Sequence, residues 1–291
     1  MESVRLTEYA RLPRAYGRLH LLHSTVDVYG RVHWLLTERD PGPGPVDPYE
    51  ALVVTADRGQ VDETHLSAVT LYSPWLDALP DGGFVLAEAR SKVDADHVQV
   101  FDALGRPSWT FRVGDAIEHL LTDTSGALWV GHFDEGVYGD DPLSHPGLRR
   151  WSSAGEPLWS FSPGPGPLDM SDCLALNVHG TTAWACPYMH HPLIEVRADG
   201  SVRLRTTRVS RVGGVAVDGG RVAFVDFDGV LTYGRISEHT VEPEPGAAQL
   251  VRPDGRALAR RRNMVCRGPR IHVRERGRTN WSVFDMARGD G

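Results

Sequence analysis

Cysteine is scarce in this chain of 291 residues, which contains only Cys173, Cys186 and Cys266. The three are widely spaced and form no C-x-x-C pair, so the sequence supports neither a disulfide framework nor a zinc knuckle. Free cysteines with this spacing are usually buried and inert. The sequence also has no nucleophile elbow, no P-loop and no dinucleotide-binding fingerprint, so no catalytic motif indicates a class of reaction.

Long apolar runs are absent as well. The first thirty residues contain no run that matches the core of a signal peptide. No later segment approaches the roughly eighteen consecutive apolar residues of a membrane span. We therefore expect a cytoplasmic protein without a membrane partner.

Lysine is nearly missing, because Lys92 is the only one and the other basic residues are arginines. The chain has a net charge of −7, yet residues 252–278 hold ten arginines against Asp254 and Glu275, a local charge of +8. Clustered guanidinium groups attract phosphate. However, "RIHVRER" alternates like an ordinary strand and has no aromatic residue between its arginines to stack on bases. Nucleic acid is therefore disfavoured, and a basic outer surface facing an acidic partner is the simpler interpretation.

Glycine and proline are plentiful, with 31 and 20 residues spread along the chain, which indicates many short strands and turns. A turn with glycine followed by a short apolar strand occurs six times, as in "DGGFVLAEA" and "SGALWVGHF". Each copy precedes a strand, a polar turn and another strand, as in "HVQVFDALGRPSWTFRV", where alternation is typical of a half-buried strand. The glycines of the six turns are Gly30, Gly82, Gly126, Gly180, Gly220 and Gly255, spaced 35 to 54 residues apart.

Each repeat thus supplies four strands, A to D in chain order. Six repeats predict an all-β fold, a six-bladed β-propeller of four-stranded antiparallel blades. We assign residues 1–291 to a single domain. Segment 1–14 is left over, as an extra strand or as a cover for a blade edge. The predicted blades are approximately 19–67, 68–114, 115–164, 171–208, 211–244 and 247–286.

Three stretches carry a resemblance to a known superfamily. "HVQVFDALGRPSWTF" resembles the strand-turn-strand of NHL-type propeller repeats. "GGVAVDGGRVAFVDFDGVL" and "LTDTSGALWVGHFDEGV" are similar to inner hairpins of NHL-type and gluconolactonase-like six-bladed propellers. The resemblance concerns blade architecture, and this architecture hosts binding proteins, lactonases, lyases and scaffolds alike.

The connections between strands B and C are long, whereas the A-to-B and C-to-D turns are minimal. The long loops are residues 38–50, 89–97, 133–147 and 187–192. Elaborated loops at one end of a rigid scaffold are common sites of function. We therefore predict that this loop face binds a ligand or partner, either a small molecule or a protein.

Side chains at the ends of the B strands are the candidates for contact with a ligand. Carboxylates and imidazoles that converge from several blades are able to act as acid and base or to bind a divalent cation. The alternative interpretation is a solvated polar rim. The predicted ligand contacts are Glu88, Asp134, Tyr188, His190, Asp226 and Arg260.

An enzyme is the alternative function, namely a hydrolase, lyase or cyclase with His132 and Glu135 as base and acid. Alanine at either position is expected to leave folding nearly intact. In gluconolactonase-like propellers, Glu, Asn and Asp side chains hold a central calcium. That resemblance implies Glu88, Asn177 and Asp226 as ligands of a divalent cation such as Ca²⁺. A third reading is a structural platform that uses the basic sixth blade as its contact.

Overall fold

The structure is a computed structural model that describes residues 1–42, 47–162 and 170–288. Residues 43–46 of the first predicted long loop and residues 163 and 164 of the third predicted blade lie outside the described residues. The chain divides into two compact units, and the assignment to a single domain stays a prediction. Unit 1 comprises Met1–Arg11 with Pro163–Gly291, and unit 2 comprises Leu12–Ser162.

The described residues form almost entirely β-structure. Besides the strands there are one helical turn, α1 (Asp134–Val137), and 3₁₀ turns at Arg14–Tyr16 and Met286–Arg288. The strands are β1 (Glu2–Arg5), β2 (Thr7–Ala10), β3 (His20–Val26), β4 (Val32–Thr37), β5 (Tyr49–Asp57), β6 (Gln60–Val69), β7 (Pro74–Ala78), β8 (Phe84–Glu88), β9 (Val98–Phe101), β10 (Pro107–Phe111), β11 (Ile117–Thr122), β12 (Leu128–His132), β13 (Leu148–Trp151), β14 (Pro157–Ser160), β15 (Cys173–His179), β16 (Thr182–Pro187), β17 (Leu193–Val196), β18 (Val202–Arg205), β19 (Val212–Asp218), β20 (Arg221–Asp226), β21 (Val230–Ile236), β22 (Val241–Val251), β23 (Arg262–Arg267), β24 (Arg270–Glu275) and β25 (Trp281–Asp285).

Unit 2 is built from four-stranded antiparallel sheets in simple chain order. The first sheet is β3 to β6, the second is β7 to β10 and the third is β11 to β14. Buried apolar side chains of the first and second sheets form one core cluster, and those of the second and third form another. The period-two alternation of the sequence therefore corresponds to strands that pack face to face.

A buried aspartate fixes the A-to-B turn in two of these sheets. In the third sheet, one carboxylate oxygen of Asp123 accepts the indole N–H of Trp129 at 3.1 Å and a guanidinium N–H of Arg150 at 2.8 Å. In the first sheet, Asp27 meets His33 at 3.0 Å. Burial opposes ionisation of Asp27, but the hydrogen bond from His33 and the charge of Arg31 hold its pKa at about 2. These ion pairs make the inner hairpins rigid.

Unit 1 contains the remaining sheets. The fourth sheet is β15 to β18, and the fifth is β19 to β22 with β1 added parallel to β22 at its edge. The sixth sheet is β23, β24 and β25 with β2 as its outer strand. The fourth and sixth sheets are continuous through one bridging pair, Asn177 with Cys266.

The sixth repeat differs from its prediction. "DGRALARRR" was predicted to hold a glycine turn followed by an inner strand, but residues 254–261 form a turn and a connection. The fifth sheet continues to Val251, and the inner hairpin of the sixth sheet turns at Gly268, whose φ is +53°. The strand prediction was wrong because β2, from the other end of the chain, supplies the outer strand of this sheet. The strands β23, β24 and β25 therefore occupy its three inner positions, and no strand is needed from residues 254–261.

Antiparallel order brings the D-to-A and B-to-C connections to the same end of each sheet. We call this end the loop end of each unit. In unit 2 it includes residues 70–73, 89–97, 112–116 and 133–147, and in unit 1 it includes residues 188–192, 206–211, 227–229, 252–261 and 276–280. The predicted loops 89–97 and 133–147 belong to it, as do residues 188–192 of the predicted loop 187–192.

Candidate functional site

At the loop end of unit 2, His132 is the last residue of β12 and is fully buried. Its Nδ1–H donates to the carbonyl oxygen of Asp115 at 2.7 Å. The Ser144 hydroxyl donates to the same oxygen at 3.1 Å and accepts the Asp115 N–H at 2.8 Å. These bonds tie both ends of loop 133–147 to segment 112–116, so the loop has a fixed backbone.

Burial lowers the pKa of His132 to about 4, so the imidazole is neutral at neutral pH. Its Nε2 then carries a lone pair, and within the described residues this atom has no hydrogen-bond partner. The sequence suggested that alanine at this position leaves folding nearly intact. Because the imidazole is buried, alanine would instead leave a cavity and remove one of the two hydrogen bonds to the Asp115 carbonyl. We therefore expect His132→Ala to destabilise the fold rather than to leave it intact.

The neighbouring carboxylates of this loop face solvent. The Glu135 carboxylate pairs with the Arg90 guanidinium at 2.6 Å, and this guanidinium lies 5.2 Å from the ring centroid of Phe133. Asp134 accepts the N–H of Glu135 at 2.8 Å. His132 and Glu135 thus engage different partners, one buried and one exposed.

Glu88 lies at the end of β8 and holds the connection between the first and second sheets. Its carboxylate accepts the N–H groups of Tyr72 at 2.6 Å and Ser73 at 2.9 Å. Burial raises the pKa of Glu88 despite these bonds. The side chain therefore stabilises a loop in unit 2.

In unit 1, the two other predicted metal ligands also satisfy backbone groups. The Asn177 amide donates to the carbonyls of Val215 and Gly268, each at 2.8 Å, and accepts the Gly268 N–H at 2.8 Å. Asp226 accepts the N–H groups of Asp228 and Val230, each at 2.8 Å. Asn177, with both amide atoms engaged, therefore has a structural role. Across residues 1–42, 47–162 and 170–288, no group of three or more His, Cys, Asp and Glu side chains is arranged to hold a metal.

A second set of loop contacts in unit 1 centres on His191. Its Nδ1–H donates to the carbonyl of Pro187 at 3.1 Å, and its Nε2 accepts the N–H of Arg211 at 3.1 Å. These bonds fix the neutral tautomer, and burial lowers the pKa of His191. The ring of Tyr188 stands edge-on to His191 with centroids 6.1 Å apart.

The backbone around His191 is strained. His190, His191 and Arg211 have φ values of +59°, +42° and +62°. These lie in the left-handed region, which residues other than glycine mostly avoid. Such conformations cost about 1 to 3 kcal/mol each and concentrate at binding and catalytic sites. His190, which the sequence predicted as a ligand contact, is exposed and precedes His191 directly.

The fifth sheet contributes Phe227 and Asp228 to the same surroundings. The Asp228 carboxylate pairs with the Arg211 guanidinium at 2.9 Å. The Phe227 ring lies against Gly213 and beside the Met264 side chain, since a Cβ on Gly213 would lie 3.1 Å from both. Phe227 is nevertheless 43% exposed, and Tyr188 is 58% exposed. We call Tyr188, Met189, His190, Arg211, Phe227 and Asp228 the aromatic loop cluster.

A cavity of 340 Å³ within unit 1 shares Arg211 with this cluster. Residues 207–212 form one wall, and Asp226, Val230 and Phe224 belong to the others. Its volume is within the range of small-molecule pockets. Arg260, the remaining predicted contact, is exposed on the neighbouring 252–261 connection.

Sequence reasoning placed Tyr188, His190 and Asp226 on loops that the structure brings together. It missed Arg211 as a site residue and the supporting role of His191. Arg211 lies in a D-to-A connection, whereas the sequence reasoning drew its candidates from the B-to-C loops and the ends of the B strands. The available signal was the pair of glycines that follows, because Gly213 makes room for an aromatic ring beside an inner strand.

No protein-family model and no curated protein matches this sequence. Solved structures do match. One is selenomethionine-substituted virginiamycin B lyase from Staphylococcus aureus, with a TM-score of 0.53, 12% identity, and coverage of 89% of this chain and 78% of that chain. A catalytically inactive variant of that lyase with quinupristin gives a TM-score of 0.51 at 12% identity, over 96% of this chain and 98% of that one.

A functionally unknown protein from Desulfotomaculum acetoxidans has a TM-score of 0.51 at 10% identity, over 89% of this chain and 84% of its own. The lyase structures are β-propellers. Together with the sheets described above, these similarities show a β-propeller fold. At such low identity they carry the fold alone, and the activity of the lyase does not transfer with it. None of the helices in the described residues has the length and apolar character of a membrane span.

Proposed function

We propose that this protein is a binding protein of the β-propeller class and that the aromatic loop cluster of unit 1 is its principal ligand-binding site. The six groups of four strands support a six-bladed propeller as the finer description. Cytoplasmic location stays a prediction.

Arg211 is the observation that carries the proposal. Its backbone is strained, its N–H is held by His191, its guanidinium is held by Asp228, and it lines the 340 Å³ cavity. A strained residue held on both sides beside a cavity is preorganised for binding, since little ordering remains to be done when a ligand arrives.

The exposed side chains of the cluster support the same function. Tyrosine, phenylalanine, methionine and arginine are enriched at the centres of binding interfaces, where they provide large contact areas. Tyr188, Met189 and Phe227 are all among the exposed large hydrophobic residues of the chain. A ligand with an aromatic or apolar body and a polar group able to bond Arg211 or Asp228 fits this set.

The enzyme alternative has weaker support. His132 is buried and neutral, and Glu135 is committed to an exposed ion pair with Arg90. This arrangement favours positioning of loop 133–147 over proton transfer to a substrate, because a general base must reach the proton that it removes.

The proposal is tested by a fragment screen in which aromatic acids, aromatic amines and neutral heteroaromatic compounds are followed by saturation-transfer NMR. Fragments bound by the wild-type protein should lose binding in the variant Tyr188→Ser with Phe227→Ser. The matched control is Tyr29→Ser with Leu104→Ser, which removes two exposed hydrophobic side chains outside the cluster. A screen with no fragment that is lost selectively in the cluster variant would contradict the proposal.

A further inference from the structure

Aliphatic side chains form much of the wall of the 340 Å³ cavity in unit 1. Val212 comes from β19, Val230 from β21 and Val241 from β22. Val209 belongs to the connection that precedes β19 and lines the same cavity. The cavity therefore offers an aliphatic surface to the body of a small molecule.

Glu244, one of the two acidic residues of the wall, is neutralised on the other face of the fifth sheet. Its carboxylate accepts a hydrogen bond from the Arg221 guanidinium at 2.8 Å. Arg221 precedes Val222 along β20, so the two side chains point to opposite faces of the sheet. Val222 packs in one apolar core with Phe224, which lines the cavity. The negative charge of Glu244 is therefore directed away from the cavity.

Asp226, the other acidic residue of the wall, lies beside compensating positive charge. The Arg262 guanidinium donates to the backbone carbonyl of Asp226 at 3.0 Å. Burial lowers the pKa of Arg262, and the nearby charges of Asp226 and Asp228 oppose this shift. Asp228 in turn pairs with Arg211 at 2.9 Å. Two aspartates are thus balanced by two arginines around the end of β20.

Arg208 is the charged residue of the wall that this compensation leaves over. It is exposed, and within the described residues its side chain forms no ion pair. Arg211 lines the same cavity, and His191 holds its backbone N–H in place. The connection between the fourth and fifth sheets therefore brings one uncompensated positive charge to a cavity with an aliphatic wall.

We propose that the 340 Å³ cavity binds a small aliphatic carboxylate, with the carboxylate on Arg208 and the aliphatic part against the valines. A guanidinium group matches the two oxygens of a carboxylate in bidentate geometry. A monoanion is favoured over a dianion because one positive charge is uncompensated and the chain as a whole carries −7. The inference rests on the proposed function in one respect, since Arg211 belongs to both the aromatic loop cluster and the cavity.

The test follows the valine methyl resonances of the labelled protein by NMR at pH 7.5 and 150 mM NaCl, with cyclohexanecarboxylate as the probe. Cyclohexylmethylamine and cyclohexylmethanol carry the same ring with a cationic or a neutral group. Cyclohexanecarboxylate should shift the resonances of Val209 and Val241 saturably and bind more tightly than either analogue. The exposed Val61 and Val93 of unit 2 should not shift.

Loss of charge-assisted hydrogen bonds should weaken cyclohexanecarboxylate at least about tenfold in the variant Arg208→Gln. The matched control is Arg203→Gln, which removes the same charge from an exposed arginine of β18 outside the described wall of the cavity. Because salt screens a charge outside the cavity, this control should bind within about twofold of wild type. Equal weakening in both variants would overturn the proposal. So would the absence of saturable shifts at the cavity valines, or tighter binding of cyclohexylmethylamine than of cyclohexanecarboxylate.

The variant Tyr188→Ser with Phe227→Ser separates this proposal from the proposed function. Neither side chain is among the described residues that line the cavity. Cyclohexanecarboxylate should therefore bind this variant as it binds the wild type, while the aromatic fragments are lost. Loss of cyclohexanecarboxylate here, with unchanged binding in Arg208→Gln, would overturn the cavity proposal and leave the proposed function intact.

Discussion

Acidification should lower the free energy of unfolding of this protein through the protonation of His132. The imidazole is fully buried, and burial lowers its pKa from 6.5 to about 4. A histidine whose folded pKa lies below its unfolded pKa binds protons more strongly in the unfolded chain. The stability it contributes is therefore complete above pH 6.5 and is lost as the pH falls from 6.5 to 4.

The magnitude follows from the two pKa values. Relative to pH 7.5, the free energy of unfolding should fall by about 2 kcal/mol at pH 5 and by about 3 kcal/mol at pH 4 through this residue alone. His132→Asn is the informative change, because the amide N–H of asparagine can take the place of Nδ1–H toward the Asp115 carbonyl and does not titrate. On acidification, the free energy of unfolding of this variant should fall by less than that of the wild type, and the difference should equal the amounts given for pH 5 and pH 4.

The assay is urea unfolding at pH 7.5, 6.5, 5.5 and 4.5, followed by tryptophan fluorescence and circular dichroism together, since coincident transitions license a two-state analysis. His239→Asn, which removes an exposed imidazole, is the control and should show the same dependence of unfolding free energy on pH as the wild type. Long-range ¹⁵N NMR should also find His132 as the Nδ1–H tautomer at neutral pH. The same loss of stability with pH in His132→Asn and wild type would refute the reasoning.

Two further pairs of substitutions test the packing of turns and buried backbone groups. Gly105→Ala should lower the free energy of unfolding by about 3 to 5 kcal/mol, because φ is +75° and a Cβ there would lie 1.9 Å from the carbonyl oxygen of His65. Gly180→Ala, with open space around it, should lower it by about 1 kcal/mol in the same urea titrations. Asn177→Ala should lower the free energy of unfolding by about 2 to 4 kcal/mol, because it leaves buried backbone groups without a hydrogen-bond partner. Asn263→Ala on the neighbouring strand should lower it by less than about 1 kcal/mol. Added Ca²⁺ should change neither difference. Equal midpoints within either pair would contradict these assignments.

Local sequence patterns predicted much of the sheet structure because each hairpin is formed by neighbouring residues. Alternation in "HVQVF" and the glycine of "TDTSGALWV" are sufficient to indicate a strand and its turn. The sixth sheet escaped this reasoning because β2 joins β25 from the other end of the chain, and no local pattern reports such a pairing. The turn "CRGPR" at Gly268 was the overlooked signal, since glycine followed by proline marks a chain reversal.

The candidate site was harder to predict than the sheets. Loop length and residue type pointed to Tyr188, His190 and Asp226, but they do not reveal which side chains are buried. His132 resembled a site residue in the sequence, and its burial depends on Ser144 and Asp115, which are distant along the chain. Arg211 was missed because its role comes from backbone conformation and from contacts with two other loops.

The most direct test of the central claim is a crystal structure of the protein soaked with the fragments that bind in solution. The account predicts density for an aromatic fragment against Tyr188 or Phe227, with a polar atom within hydrogen-bond distance of Arg211 or Asp228. Fragments found repeatedly at another place on the chain, with the surroundings of Arg211 empty, would contradict it.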